Sequence, residues 1–575
     1  MPTAILRFSV YELVFMLKTN RIMMKIKTFI LSCLLAFIAI HANAYDYDFE
    51  VDGFKYLITS TADLTLEVAY GPNKDVITIP STVVFNKRTF RVTGIGSKAF
   101  RKHENLTSVD MPSITYISSG GYDIGYNGYM GSFGGCSKLS HVNMPAVTSI
   151  GEFAFKNCKA LASVSMPAAT TIGDFAFEDC EALASVSMPA ATSIGGYAFA
   201  YCKALASVSM PAATSIGYNA FAYCDALASV SMPAATSIDG EAFKNCKALA
   251  SVSMPAATTI GHHAFEDCYA LESVSMPAAT TNGYNAFEDC YALESVSMPA
   301  ATSIDGEAFK NCKALASVSM PAATWIGDAA FYDCDALASV SMPAATTIGY
   351  SAFCGCDALA SISMPTAISI GKSAFAGCKA LASVSMPAAK SIGEKAFGNC
   401  KALASVSMPA ATSIGDDEFD GCDALASVSM PAATSIASAF YYCKSLSDIY
   451  VGAEPASCNS SSFAKVTYAT ATLHVPAGCT PKYKAADYWK NFAFISDDYD
   501  PTGIKCTEVD DVKIHTDNGY VQLNGLKAGE RVTFYALDGR TLSTVTAHDG
   551  RVSYSAQPGQ IVIVKYHSKS AKIFF

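Results

Sequence analysis

Apolar positions recur along most of this chain in one fixed order. After Cys246 they fall at Leu249, Val252, Met254, Ile260 and Phe265, with small or polar residues between. Val252 and Met254 alternate with Ser251 and Ser253, the two-residue period of a strand with one face inward. Pro255 removes a backbone donor and closes that strand. Thr258, Thr259, Ile260 and Gly261 predict a corner, with Gly261 supplying an unusual dihedral. In the HHAFEDC that follows, Ala264 and Cys268 are four apart and Phe265 and Cys268 three apart. That spacing predicts one short helical turn with a single buried face.

The same unit returns with a cysteine every 22 residues from Cys136 to Cys422, then reaches Cys443 with one residue deleted. A degenerate first copy has His103 at the cysteine position. A unit with so few buried side chains does not offset the entropy of ordering itself, so neighbouring units must stack. The expected fold is a repeat solenoid of about fifteen coils, which at roughly 4.8 Å per strand makes a sheet about 70 Å long.

The recurring C-x-x-L-x-x-V-x-M-P-x-x-x-x-I-G-x-x-A-F-x-x-C resembles the BspA-type (treponemal) leucine-rich repeat over roughly residues 80–450. The resemblance implies 22-residue coils, each a short parallel β-strand plus a short helical turn. It also implies a secreted or surface location, adhesion or host-protein binding, and no catalytic activity in the repeat. YDFEVDGFKYLITS and DVITIPSTVVFNKRTFRV resemble the β-rich N-terminal cap of such arrays, assigned to 45–91. The solenoid follows at 92–457, and ATLHVPAGCTPKYKAADYWKNFAFI resembles the closing cap, assigned to 458–497. An acidic linker at 498–511 leads to 512–575, where short alternating strands are expected. There VTFYALDGRTL and PGQIVIVKYHSKSAKIFF resemble the C-terminal β-sandwich sorting domains of type IX secretion; a plain Ig-like terminal domain is the alternative.

Residues 1–44 contain an export signal. MKIKTFILSCLLAFIAIHANA has a basic start, an apolar centre and a small-x-small end at Ala42, Asn43 and Ala44. The true start is expected at Met23 or Met24, and no membrane span is expected in the mature chain. Apolar residues make up 51% and charged residues 16%, too little charge for a disordered chain. Net charge is −10, and Lys and Arg cluster nowhere beyond the extreme N-terminus, which argues against nucleic acid as a partner.

Candidate chemistry is sparse. No nucleophile motif, phosphate loop or paired-carboxylate arrangement stands out, so the chain reads as non-enzymatic, without cofactor or metal. Stacked equivalent cysteines have parallel Cβ vectors, unsuited to disulfides, and predict a buried reduced ladder. A Cys458–Cys479 pair is an open alternative outside the array. His262 and His263 beside Asp267 and Cys268 suggest zinc at first sight, but adjacent histidines seldom share a metal on a short element, and they read as exposed coil residues. Two uniform columns, Ser163, Ser185, Ser207 and Ser229 beside Ser165, Ser187, Ser209 and Ser231, make a flat polar face suited to an extended partner, or a merely solvated one. The Gly/Tyr-rich insertion 118–133 carries Tyr122, Tyr126 and Tyr129, suited to protein or glycan binding or to shielding the cap. The expected partners are host or neighbouring-cell proteins or glycans. The alternative is a structural or spacer protein of the envelope without a dedicated ligand.

Overall fold

The computed structural model describes residues 47–123 and 128–499, then 507–509, 512–517, 520–527, 529–535, 541–549, 551–555, 561–566 and 569–574. The segment expected to carry the export signal, Tyr126 and Cys506 lie outside the described residues. Among the described residues no helix is long and apolar enough to cross a membrane.

The chain winds into a parallel β-solenoid. Its first ladder is built from the S-V-S strands, such as Ser163–Ser165 against Ser185–Ser187, in register. It runs in hydrogen-bonded stretches of three, seven, two and seven strands, nineteen in all, so the array is longer than the fifteen coils expected. The additional strands come from the flanks. Val76–Thr78 starts the ladder, and beyond Asp448–Val451 the strands Thr472–Pro476 and Phe494–Tyr499 finish it. The closing cap is therefore also the last part of the solenoid.

A second ladder forms where a plain corner was expected. Two-residue strands such as Thr171–Ile172 and Ser193–Ile194 pair coil to coil. Just ahead of each pair, a threonine hydroxyl donates to the backbone carbonyl of its counterpart one coil back: Thr192 to Thr170 at 3.2 Å, Thr214 to Thr192 at 3.1 Å.

The expected helical turn is absent. Its place is taken by successive tight turns, with Ala176 N–H to Gly173 O, Glu178 N–H to Phe175 O and Cys180 N–H to Phe177 O, each spanning three residues. The intervening N–H groups of Phe175, Phe177 and Asp179 donate to the next coil instead. Alternation is achieved by placing Phe175 (φ 58°) and Asp179 (φ 59°) in the left-handed region. A helix would spend all these donors inside one coil; this path spends every second one on stacking.

Gly261 also acts differently from expectation. It is not among the glycines with positive φ. A Cβ there would lie 2.4 Å from the backbone nitrogen of Gly240 in the preceding coil. The glycine is needed for close approach of two backbones, not for an unusual dihedral.

Inside, equivalent side chains stack in columns. Phe133, Phe155, Phe177 and Phe199 lie parallel with ring centroids 4.9–5.3 Å apart, and the stack continues to Phe463. There the closing cap plugs the end: Phe463 meets Trp489 at 5.7 Å and Phe492 at 5.4 Å. Trp489 is buried, and its indole N–H donates to Ala456 O at 2.7 Å. Further along, Thr507–Val509 to Lys569–Phe574 form two four-stranded antiparallel sheets. Val521, Leu523, Val532, Phe534, Val552, Val562 and Val564 make an apolar cluster distinct from the solenoid core.

Candidate binding surface

Strand alternation turns each Val inward and its two flanking serines outward. Parallel, unshifted pairing then aligns the serines: Ser163 faces Ser185, Ser207 faces Ser229, Ser165 faces Ser187 and Ser209 faces Ser231. All eight are exposed. The result is two parallel rows of hydroxyl groups on one side of the molecule.

The tyrosine-rich insertion is a two-stranded ribbon, Gly121–Asp123 against Gly128–Met130, with Tyr122 opposite Tyr129. Their rings meet edge to face at 5.2 Å, and each is 54% exposed. Tyr129 stacks on Phe153 at 5.3 Å, which stacks on Phe175 at 4.8 Å, which stacks on Tyr197 at 4.7 Å. The insertion thus heads an outer aromatic row running along the turns. That row was missed in the sequence, although one aromatic stands immediately before Ala-Phe in three successive coils.

The cysteines of the column are shielded from solvent. From Cys136 to Cys443 every cysteine of the column is a buried free thiol whose Sγ–H donates to a phenylalanine carbonyl of the preceding coil at 3.0–3.3 Å. Burial pushes Cys136 and Cys422 up to about 12, so the thiolate that a nucleophile or metal site needs is disfavoured. Cys458 and Cys479 are free thiols as well, partly buried in the closing cap.

Charged side chains at the variable positions pair between coils. Lys159 meets Glu181 at 2.8 Å, Lys247 meets Asp225 at 3.0 Å and Lys379 meets Asp357 at 2.7 Å. The histidine pair does not assemble the set considered from sequence: the Cys268 thiol is held in the core by Phe243 O. His263 instead gathers with Glu266 and Glu288, their ligand atoms all within 4.8 Å of one another.

Parallel ladders with stacked aromatic and thiol columns define a leucine-rich-repeat solenoid. Overlapping segments 129–250, 236–360, 280–403 and 346–470 match the BspA type leucine rich repeat region, and together they span more than half of the chain. The chain belongs to the BspA-type leucine-rich-repeat family. A leucine-rich repeat protein from Bacteroides ovatus is similar at 24% identity and TM-score 0.45, over 70% of this chain and 94% of that one. A leucine rich cell surface protein from Faecalibacterium prausnitzii is similar at 25% identity and TM-score 0.35, over 66% and 93%. No curated protein matches the chain.

Proposed function

We propose that this chain is an exported, surface-displayed scaffold that binds host or neighbouring-cell proteins or glycans without catalysis. The observation that carries this reading is the exposed Tyr122–Tyr129 pair, held on a ribbon that continues the outer aromatic row. Large amphipathic rings fixed on a rigid support lose little entropy on binding, and such residues dominate binding hot spots. The serine rows supply adaptable hydroxyl contacts along the same rigid body. Membership of the BspA-type family supports a cell-surface or secreted location. The two-sheet segment at the end of the chain is read as a β-sandwich of the type IX sorting kind, supported by its separate core.

The test is retention of matrix proteins and glycans by the mature chain, beside a Tyr122→Ala/Tyr129→Ala variant and a Ser185→Lys/Ser207→Lys variant. Selective retention lost in the tyrosine variant supports the reading. If no protein or glycan is retained by the parent chain, the spacer reading stands instead. The uniformity of the serine rows favours that alternative, since identical residues in every coil mark no one place on the face.

A further inference from the structure

The residue after the Ala-Phe pair forms a column on the turn side: Lys156, Glu178, Ala200, Ala222, Lys244, Glu266, Glu288, Lys310. At three of the four steps where neighbours in this run are both charged, they pair with opposite sign: Lys156 with Glu178 at 2.5 Å, Lys244 with Glu266 at 2.7 Å and Lys310 with Glu288 at 2.9 Å. One step breaks the rule. Glu266 and Glu288 follow each other directly, and like charges facing across a ladder are destabilising. His263 reaches into this step, its Nδ1 2.6 Å from Glu266 Oε2. Lys310 is divided between Glu288 and Glu307, the latter at 2.5 Å, so three carboxylates face two ammonium groups. The side chains are sheltered: His263 is 27%, Glu266 17% and Glu288 13% exposed.

A second observation points the same way. Asn285, next after His263 in its own column, is only 5% exposed. Its amide lies against Glu288 Oε2, while its Oδ1 has no hydrogen-bond partner. Turning the amide over would aim that unused acceptor at the cluster.

We propose that His263, Glu266 and Glu288, with the Asn285 amide oxygen as a fourth donor, bind one divalent transition-metal ion that staples two neighbouring coils. One imidazole nitrogen with carboxylate oxygens suits zinc or cobalt better than calcium or magnesium, which favour all-oxygen sets. Donors at about 2.0–2.2 Å from zinc sit about 3–4 Å from one another, so small side-chain rotations close the present 4.8 Å spread. Lys244 and Lys310 stay on the carboxylates as outer-shell partners, because an ionised carboxylate accepts several bonds at once. The site lies in mid-array, where it would resist separation of the coils.

The probes are zinc and cobalt(II), added to the full mature chain. The expected result is one equivalent of zinc bound and a higher unfolding midpoint, with magnesium without effect. Cobalt should give visible d–d bands without the near-ultraviolet charge-transfer band of a thiolate, separating this site from the cysteines. His263→Ala and Glu288→Gln should each abolish binding, and His262→Ala should leave it intact. Absence of binding, a thiolate band, or binding that survives His263→Ala overturns the proposal. So does a folded His263→Ala variant with the parent's zinc-induced midpoint shift.

Discussion

Asn282 occupies a column that is isoleucine in its neighbours, and the hydrogen bonds around it record the exchange. It is buried, its Oδ1 accepts from the backbone N–H of Asp305 at 3.2 Å, and its Nδ2 has no partner. In ordinary coils the equivalent N–H donates to a backbone carbonyl, as Gly261 does to Ile238. The second ladder is interrupted at this point: one sheet ends at Thr281–Asn282 and the next begins at Ser303–Ile304. The side chain has captured a donor that belongs to the ladder. Asn282→Ile should restore the pairing and stabilise the chain by about 1–3 kcal/mol, seen as a higher denaturation midpoint. A lower midpoint would show that the amide is better satisfied than these contacts indicate. Glu418 is the matching case for a charge. It stands where other coils have alanine, is fully buried, and has Gly415 N–H on one oxygen and no partner on the other. Burial raises its carboxyl from 4.5 to about 8. Its folded value lies above its unfolded value, so this group's contribution to stability is full below about pH 4.5 and is lost as pH rises toward 8. The loss is on the order of 5 kcal/mol at about 1.36 kcal/mol per unit. Glu418→Gln should remove that part of the slope, measured as the midpoint difference between variant and parent from pH 5 to pH 8.5. Parallel curves would rule it out.

At the scale of the element, what was legible depended on which neighbours a residue has. The S-V-S strand, the phenylalanine stack and the cysteine column were readable because each follows from side-chain alternation and the 22-residue period. The helical turn was misread for a physical reason. Neighbours three and four apart are brought together equally by consecutive tight turns, and the choice is made by donors that the next coil competes for. A signal was available. The residue before each cysteine is mostly Asn, Asp or Gly, as in Asn157, Asp179, Asn245 and Gly355, types that tolerate the left-handed region it occupies. The Glu266–Glu288 contact was likewise visible only by treating residues one period apart as neighbours; reading along the chain put Asp267 and Cys268 beside the histidines instead. Gly261 shows the same limit, since no local pattern reveals that a backbone lies 2.4 Å from where its Cβ would stand. Gly261→Ala should force the coils apart and cost about 1–3 kcal/mol, read as a lower midpoint. An unchanged midpoint would mean that the ladder yields there without loss.

For the whole molecule, two cores imply two separable tasks. The solenoid core is sealed before the terminal sheets begin, because Trp489, Phe492 and Tyr483 close over Phe463 and the Tyr483 hydroxyl donates to Gly452 O at 2.8 Å. The terminal sheets bury Val521, Phe534, Val552 and Val564 among themselves. The terminal sheets have an apolar cluster of their own, separate from the solenoid core, so the array should keep its fold without them. On the proposed reading, an N-terminal export signal would account for passage across one membrane, and a second step would be needed to reach an outer surface. A compact β unit with its own core is suited to being read by export machinery as a module, which is why the sorting reading is attached to it. Deletion of residues 512–575 should therefore leave a folded solenoid, with an unchanged far-ultraviolet strand signal and thermal midpoint, held in the periplasm. Fractionation with surface protease accessibility, in a host that has type IX secretion, measures this. Retention of a folded truncated chain separates loss of sorting from loss of folding. A truncated chain that reaches the surface or medium at the parent's level would show that the terminal sheets do not direct export.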